Sequence, residues 1–205
     1  MVDAAMQPRS PLAELLTRGR HGRAGGAAGV TLTERTGLAA AAITLRARQW
    51  EDLTTRLRDG FRLDLPRQPG CSAAGALEII WTGPAQWLAI EAGRDDVARF
   101  GFARDLAARL GAAASVTDLT GARAVLRLAG PAVRETLAKL VPIDPDETVF
   151  PPGGAALTVA GHVGVTLWRP TAEAWDIACY RSFGESLAHD LLEAAAEFGC
   201  AVSDG

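Results

Sequence analysis

Val116-Thr117-Asp118-Leu119-Thr120-Gly121-Ala122-Arg123-Ala124-Val125-Leu126-Arg127-Leu128-Ala129-Gly130-Pro131-Ala132-Val133 is the stretch that decides how this chain folds. Residues 116–120 read as a strand and Gly121-Ala122 as a pause. Residues 123–128 read as a second strand, and the following segment starts a helix. Pro131 sits in the first helical turn, where its missing N–H has no helical partner to lose. The first strand closes one half of the chain and the second opens the other. On either side of this seam the same order of elements recurs.

In the first half, residues 30–34 and 40–45 alternate as strands. Trp50, Leu53, Leu57 and Phe61 then recur at intervals of three and four, the apolar stripe of a helix. Pro66, Pro69 and Gly70 break the chain. Residues 76–81 and 87–91 form a hairpin about Thr82-Gly83-Pro84. Residues 94–110 are expected as a helix with Val97, Phe100, Ala103, Ala107 and Leu110 on one face, ended by Gly111. In the second half, Val133, Leu137, Leu140 and Val141 give a helix its buried side. Residues 156–160 and 163–168 form a hairpin about Gly161-His162, and residues 174–180 a third strand. Ser182 and Glu185 have the spacing of a reciprocal capping box. The helix they open carries Phe183, Leu187, Leu191, Ala194 and Phe198, and residues 200–202 close the chain as a strand.

Each half is thus strand–helix–strand–strand–helix–strand, with one extra strand expected in the second. Local echoes agree: Trp87-Leu88-Ala89-Ile90 against Trp175-Asp176-Ile177-Ala178, and Asp105-Leu106 with Gly111 against Asp190-Leu191 with Gly199. The fold class expected is α+β: two ferredoxin-like split β-α-β modules in tandem, with largely antiparallel sheets together and helices outside. The expected division is a flexible arm over 1–29, a first module over 30–120 and a second over 121–205, in one compact pseudo-duplicated domain. The arm reads either as disorder or as a segment that docks on a partner.

Composition narrows the function. The chain has 205 residues, a net charge of −3, 48% hydrophobic and 22% charged residues. Its basic residues are 20 Arg and one Lys, Lys139. That balance gives no electrostatic case for nucleic acid or for an acidic membrane surface. No apolar run reaches the roughly 18 residues of a membrane helix. The first 25 residues have no continuous apolar core of a signal peptide, so a cytoplasmic location is expected. Cys71, Cys179 and Cys200 are odd in number and far apart, which fits reduced thiols.

The search for chemistry yields little. His21, His162 and His189 lie far apart with no zinc-ligand spacing. There is no G-x-S-x-G elbow, no Walker A motif and no dinucleotide fingerprint. Asp118 could act as a general base or satisfy backbone donors in the turn at Thr120-Gly121, and the turn is the preferred reading. Asp144 and Asp146 flank Pro145 as a plain turn would. Arg123 and Arg127 share one face of a strand and could hold an anion or pair with surface carboxylates. Trp50, Trp81, Trp87, Trp168 and Trp175 read as packing residues, although several together could line a flat ligand.

Asp118-Leu119-Thr120 followed by Gly130-Pro131-x-Val133 and a helix with Leu137 resembles the signature of the aminomethyltransferase (glycine cleavage T-protein) superfamily. Within it, the chain most closely resembles the gamma-subunit family of heterotetrameric sarcosine oxidases. The features are Ser10-Pro11-Leu12, Gly29-Val30-Thr31-Leu32-Thr33-Glu34, Gly83-Pro84-x-x-Trp87-Leu88, Phe150-Pro151-Pro152-Gly153, Leu167-Trp168-Arg169 and Arg181-Ser182-Phe183-x-Glu185-Ser186-Leu187. The resemblance implies a complex that oxidatively demethylates sarcosine to glycine, hydrogen peroxide and formaldehyde or methylene-tetrahydrofolate. It implies alpha, beta and delta subunits as partners, with FAD, FMN, NAD, zinc and tetrahydrofolate held by those partners. For this chain it implies no catalytic, cofactor-binding or metal-binding residue. The T-protein has an acid on the strand matching residues 162–168, and no carboxylate stands there. A stand-alone tetrahydrofolate-binding protein or aminomethyltransferase-like enzyme is the alternative.

Overall fold

A computed structural model describes residues 9–203. In chain order its strands are β1 (Gly19–His21), β2 (Val30–Glu34), β3 (Ala39–Leu45), β4 (Cys71–Ala74), β5 (Leu77–Gly83), β6 (Gln86–Glu91), β7 (Ala114–Asp118), β8 (Arg123–Ala129), β9 (Ala155–Ala160), β10 (Val163–Trp168), β11 (Ala174–Tyr180) and β12 (Cys200–Ser203). Its α-helices are α1 (Trp50–Phe61), α2 (Phe102–Leu110), α3 (Val133–Ala138) and α4 (Gly184–Ala195).

Among the described residues the strands form two sheets. One runs β4-β5-β6-β3-β7, the other β1-β12-β2-β8-β11-β10-β9. Every pairing is antiparallel except β12 with β2. Alternation within each strand explains the layering. Ile43, Ile79 and Trp87 point to α1 and α2 and pack on Leu53, Leu57, Phe102 and Leu106. Leu126, Trp175 and Ile177 point to α3 and α4 and pack on Leu137, Leu187 and Leu191. The opposite faces meet each other through Ala40, Ile80, Leu88 and Ile90 of one sheet and Val125, Trp168 and Ala178 of the other. The molecule is therefore helices, sheet, sheet, helices, with the sheets together as expected.

The repeat is closer than the sequence suggests. β3-α1-β5-β6-α2-β7 and β8-α3-β10-β11-α4-β12 each trace the split β-α-β order. The strand expected as an extra in the second half, β9, has its counterpart in β4, which hairpins onto β5 over Cys71↔Ile80 to Ala74↔Leu77. Ser72 and Ala73 sit among Pro69, Gly70 and Gly75, which hides so short an edge strand from periodicity. The echo at Trp87 and Trp175 falls on equivalent strands, β6 and β11.

Two segments differ from their expected places. The expected arm is docked where it is described: β1 pairs with β12, and Leu12 is 0% exposed in the helix-facing core of the larger sheet. Its first eight residues lie outside the described ones. The strand β2, expected in the first module, inserts between β8 and β12 in the sheet of the second. Glycine makes this insertion possible. A Cβ on Gly130, at φ +120°, would lie 2.5 Å from the Gly29 carbonyl oxygen, and Ala132 N donates to that same oxygen at 3.0 Å.

Two local expectations are corrected. The helix expected from residue 94 starts as α2 at Phe102, after a 3-10 turn over Ala98–Gly101. Asp95 accepts from the N–H groups of Val97 and Ala98 at 2.9 and 2.6 Å, which holds the chain in a turn there. The buried face becomes Phe102, Ala103, Leu106 and Leu110, and Val97 and Phe100 are left 84% and 59% exposed. The capping box also does not form. A 3-10 turn over Arg181–Phe183 precedes α4, so Ser182 lies inside a helical turn, and the residue before α4, Phe183, caps it with no side-chain bond.

Candidate functional site at the seam of the two sheets

The turn after β7 is where the two modules meet. Leu119 N donates to the Ala40 carbonyl at 2.9 Å, and Ala40 N donates to Thr120 Oγ1 at 3.1 Å. Thr120 N donates to Asp118 Oδ1 at 2.8 Å. Asp118 is exposed and serves the turn, the preferred of its two readings. Arg181 N donates to the Ala122 carbonyl at 2.9 Å, so the start of α4 closes on the same turn.

Deeper between the sheets lies an ionic cluster. Asp176 is 0% exposed. Arg127 Nε and Nη2 donate to its two oxygens at 2.7 and 2.6 Å, and Arg35 Nη1 donates to it at 2.8 Å. Arg35 Nη2 donates to Glu78 at 2.5 Å, and Glu78 accepts from Trp168 Nε1 at 3.0 Å. The hydrogen bond to Asp176 holds the Arg127 guanidinium above its ordinary pKa. Burial, then the charges of Glu78 and Asp176, push the Cys71 thiol up to about 12. Every strong acceptor in the cluster faces a guanidinium or an indole N–H, so it is set up to fasten one sheet to the other, with no group poised for proton transfer.

Above the cluster a cleft of about 560 Å³ opens at the seam. Its floor includes Ala40, Ile90, Leu119 and Val125, and its walls carry Arg9, Arg35, Arg99, Arg123 and Arg181 against one carboxylate, Glu34. Burial raises the Glu34 pKa; its hydrogen bond from Ser10 and the charge of Arg181 act the other way. Arg123 lies 3.8 Å over the Tyr180 ring.

The structure separates most of the other candidates. His21 is on β1, His162 is exposed at the β9–β10 turn, and His189 is exposed on α4 beside Glu193. Among the described residues no group of three or more His, Cys, Asp or Glu could hold a metal ion. Asp144 and Asp146 accept from backbone N–H groups two residues on, as turn residues do. The tryptophans are split between layers: Trp50 and Trp87 pair at 6.0 Å on one helix-facing side, Trp175 stacks on Phe150 at 5.0 Å on the other, and Trp168 lies between the sheets. Arg123 and Arg127 share a face as expected, yet Arg127 pairs with a buried acid in place of a surface one. The partners Asp176 and Glu78 escaped sequence reading. Their signal was a lone acid inside an otherwise apolar strand.

Known proteins place this geometry. The model of the sarcosine oxidase gamma subunit family matches residues 52–197. The sarcosine oxidase subunit gamma of Corynebacterium sp. (strain P-1) is 34% identical over 146 residues, 69% of each chain. That of Corynebacterium sp. (strain U-96) is 30% identical over 205 residues, 98% of this chain and 96% of the relative. A chain of the heterotetrameric sarcosine oxidase from Corynebacterium sp. U-96 in complex with pyrrole 2-carboxylate superposes with a TM-score of 0.76 at 28% identity, over 93% of this chain and 96% of that one. The glycine cleavage system aminomethyltransferase T from Bartonella henselae shares the fold, with a TM-score of 0.56 at 15% identity, over 86% of this chain and 48% of its own.

Proposed function

This chain belongs to the sarcosine oxidase gamma subunit family, and from that premise we propose that it is the non-catalytic gamma subunit of a heterotetrameric sarcosine oxidase. The assembly demethylates sarcosine oxidatively to glycine, with hydrogen peroxide and formaldehyde or methylene-tetrahydrofolate as the other products. Alpha, beta and delta subunits are the partners. They hold the flavins FAD and FMN, and NAD, zinc and tetrahydrofolate. The complex works in the cytoplasm. No described helix is long and apolar enough to cross a membrane.

The observation that carries this reading is the similarity over almost the whole of both chains to one chain of a heterotetrameric sarcosine oxidase. The seam chemistry supports it. The buried charges of the Asp176 cluster are paired with one another, and Asp118 accepts from its own turn. Within the chain we propose two modules of one compact domain, divided at the turn after β7, with residues 9–34 belonging to the second.

Co-expression with the three other subunits tests the proposal. The tagged chain is expected to bring down flavin-bearing chains in fixed proportion and sarcosine-oxidising activity with them. The isolated chain is expected to be colourless and inactive on sarcosine. Sarcosine oxidation by the isolated chain would defeat the reading, and tight binding of tetrahydrofolate to it would favour a folate-binding protein.

A further inference from the structure

We propose that the arginine-lined cleft at the seam and the exposed aromatic strip beside it form one docking surface for an acidic, apolar-anchored segment of a partner subunit. The inference rests on the subunit reading above and names the surface and chemistry that this reading leaves open.

The surface is continuous. Arg123 and Leu119 line the seam cleft and also a second cleft of about 580 Å³ walled by Leu157, Tyr180 and Phe183. That second cleft lies where the sheets part. It is lined by both sheets, with Ala42, Gln86 and Leu88 on one side and Leu157, Thr166 and Tyr180 on the other, and Phe183 of the 3-10 turn beside them. Phe100, Tyr180, Phe183 and Leu157 are 59%, 56%, 48% and 61% exposed. Large apolar side chains exposed singly need no explanation, but a contiguous group flanking arginines has the make-up of a protein interface. Phe100 stands at the opposite wall of the seam cleft, exposed because the chain before α2 turns early.

The charges are only partly satisfied within the chain: Arg181 Nη2 donates to the Arg9 carbonyl oxygen, and its charge acts on Glu34 without direct contact. Arg123 and Arg181 have no carboxylate at ion-pair distance among the described residues. Arg99 is 9% exposed, and its one carboxylate, Asp96, is 3.3 Å away and itself open to water. The Nε atoms of Arg99 and Arg123 are buried and make no hydrogen bond. A buried donor without an acceptor is costly, so such groups mark a place where an acceptor arrives. The acceptors that suit guanidinium groups are carboxylates and phosphates, and of these a protein segment supplies carboxylates.

Of the possible occupants, a partner's acidic segment fits both halves. A small anion in the seam cleft would leave Tyr180, Phe183 and Leu157 in water. A second copy across this surface would overlay one basic strip on another.

The test uses the full chain, tagged and co-expressed with the other three subunits. The double variant Arg123→Glu/Arg181→Glu is expected to lower the co-purified partner by on the order of tenfold or more. Arg123→Lys/Arg181→Lys should retain most of it, because the charge remains. Phe183→Ser, on the apolar half, should weaken assembly in the same direction without touching a charge. The thermal midpoint of each isolated variant should match that of the unaltered chain, which separates lost docking from lost folding. In the assembled complex, amide exchange should slow at residues 97–101 and 180–183.

Full partner stoichiometry in both the charge-reversed variant and Phe183→Ser would overturn the proposal. So would a dimer of the chain alone that Phe183→Ser dissolves. Stoichiometric binding of tetrahydrofolate to the isolated chain, abolished by Arg123→Glu, would reassign the cleft to a small molecule. If the unaltered chain captures no flavin-bearing subunit, the subunit reading itself falls and takes this surface with it. That outcome is distinct, because it does not depend on any variant.

Discussion

Trp87-Leu88 on β6 and Trp175-Asp176 on β11 occupy the same place in the two modules. Both tryptophans face the helices, where they pack in the apolar cores. The next residue in each strand faces the opposite sheet. In the first module it is Leu88, within the apolar patch between the sheets. In the second it is Asp176, fully buried and held by Arg127 and Arg35. The first module's inter-sheet face is therefore apolar there, whereas the second carries a bidentate pair between neighbouring strands of its own sheet, tied to the other sheet by the bonds of Arg35 and Trp168 to Glu78. Apolar contacts tolerate a small slide of one sheet over the other; the directional bonds that Arg35 and Trp168 make to Glu78 across the sheets do not. The two modules share the same layers, and the sheets between them are held both by apolar packing and by hydrogen bonds centred on Glu78.

The sharpest way to break this comparison is to remove the acid. Asp176→Ala removes the carboxylate of Arg127 and leaves Arg35, whose side chain is 12% exposed, with Glu78 alone. Breaking a buried pair from one side costs about 3–5 kcal/mol. The variant should lose that much in urea unfolding, with its midpoint falling in proportion. A loss below about 1 kcal/mol would mean that the cluster is a solvated ornament, because exposed pairs contribute in that range. Leu88→Ala is the matching change in the first module. It should cost about 2–3 kcal/mol, near the low end for a buried leucine, because Leu88 borders the second cleft, where water can reach the gap. If the two losses came out in the reverse order, the apolar contact between the sheets would matter more to the fold than the buried acid.

The thiols extend the comparison to pH. Cys71 lies beside the ionic cluster, and burial with the charges of Glu78 and Asp176 pushes it to about 12. Burial alone pushes Cys179 to about 11, and the charge of Arg123 opposes the rise. Between the ordinary thiol value of 9.0 and these values, the unfolded chain has lost protons that the folded chain retains. Fewer bound protons in the unfolded state means that stability falls as pH rises through this window. Each thiol contributes at most about 1.4 kcal/mol per pH unit, and Cys71 less, because it is not fully buried. Below about pH 8 the three thiols, with Cys200 also pushed up to about 11, should leave stability flat. Replacing Asp176 should lower the Cys71 pKa and quicken its alkylation at pH 9, while Cys179 is unchanged.

Much of the layering was legible because period and burial agree. Trp50, Leu53, Leu57 and Phe61 mark α1, and the echo of Trp87 in Trp175 marks the repeat. What escaped was set by partners distant in sequence. The pairing of β2 with β8 depends on Gly29 meeting Gly130, a close approach that no local pattern encodes. β4 is short and sits among turn residues, and it is a strand because β5 supplies its ladder. At the seam, Asp118 was legible as a turn residue because its acceptor role is local. Asp176 needed knowledge of both sheet faces. An acid in the middle of Trp175-Asp176-Ile177-Ala178 has no local partner, and Arg35 lies 141 residues away along the chain.

Asp118 and Asp176 give the smallest contrast, an exposed acid against a buried one. Asp118 accepts one backbone bond, from Thr120 N at 2.8 Å, and no charged group lies within ion-pair distance among the described residues. Asparagine retains an oxygen at that position and can form the same turn. Asp118→Asn should therefore change stability by less than about 0.5 kcal/mol, the usual range for surface substitutions, whereas Asp176→Asn should be felt strongly because it removes the charge that two guanidinium groups require. Assembly and flavin-dependent turnover of the complex should be unaffected by Asp118→Asn. A complex that forms fully with this variant but has lost turnover would show that Asp118 takes part in chemistry, and the seam would then have to be read as a reaction site in place of a fastening.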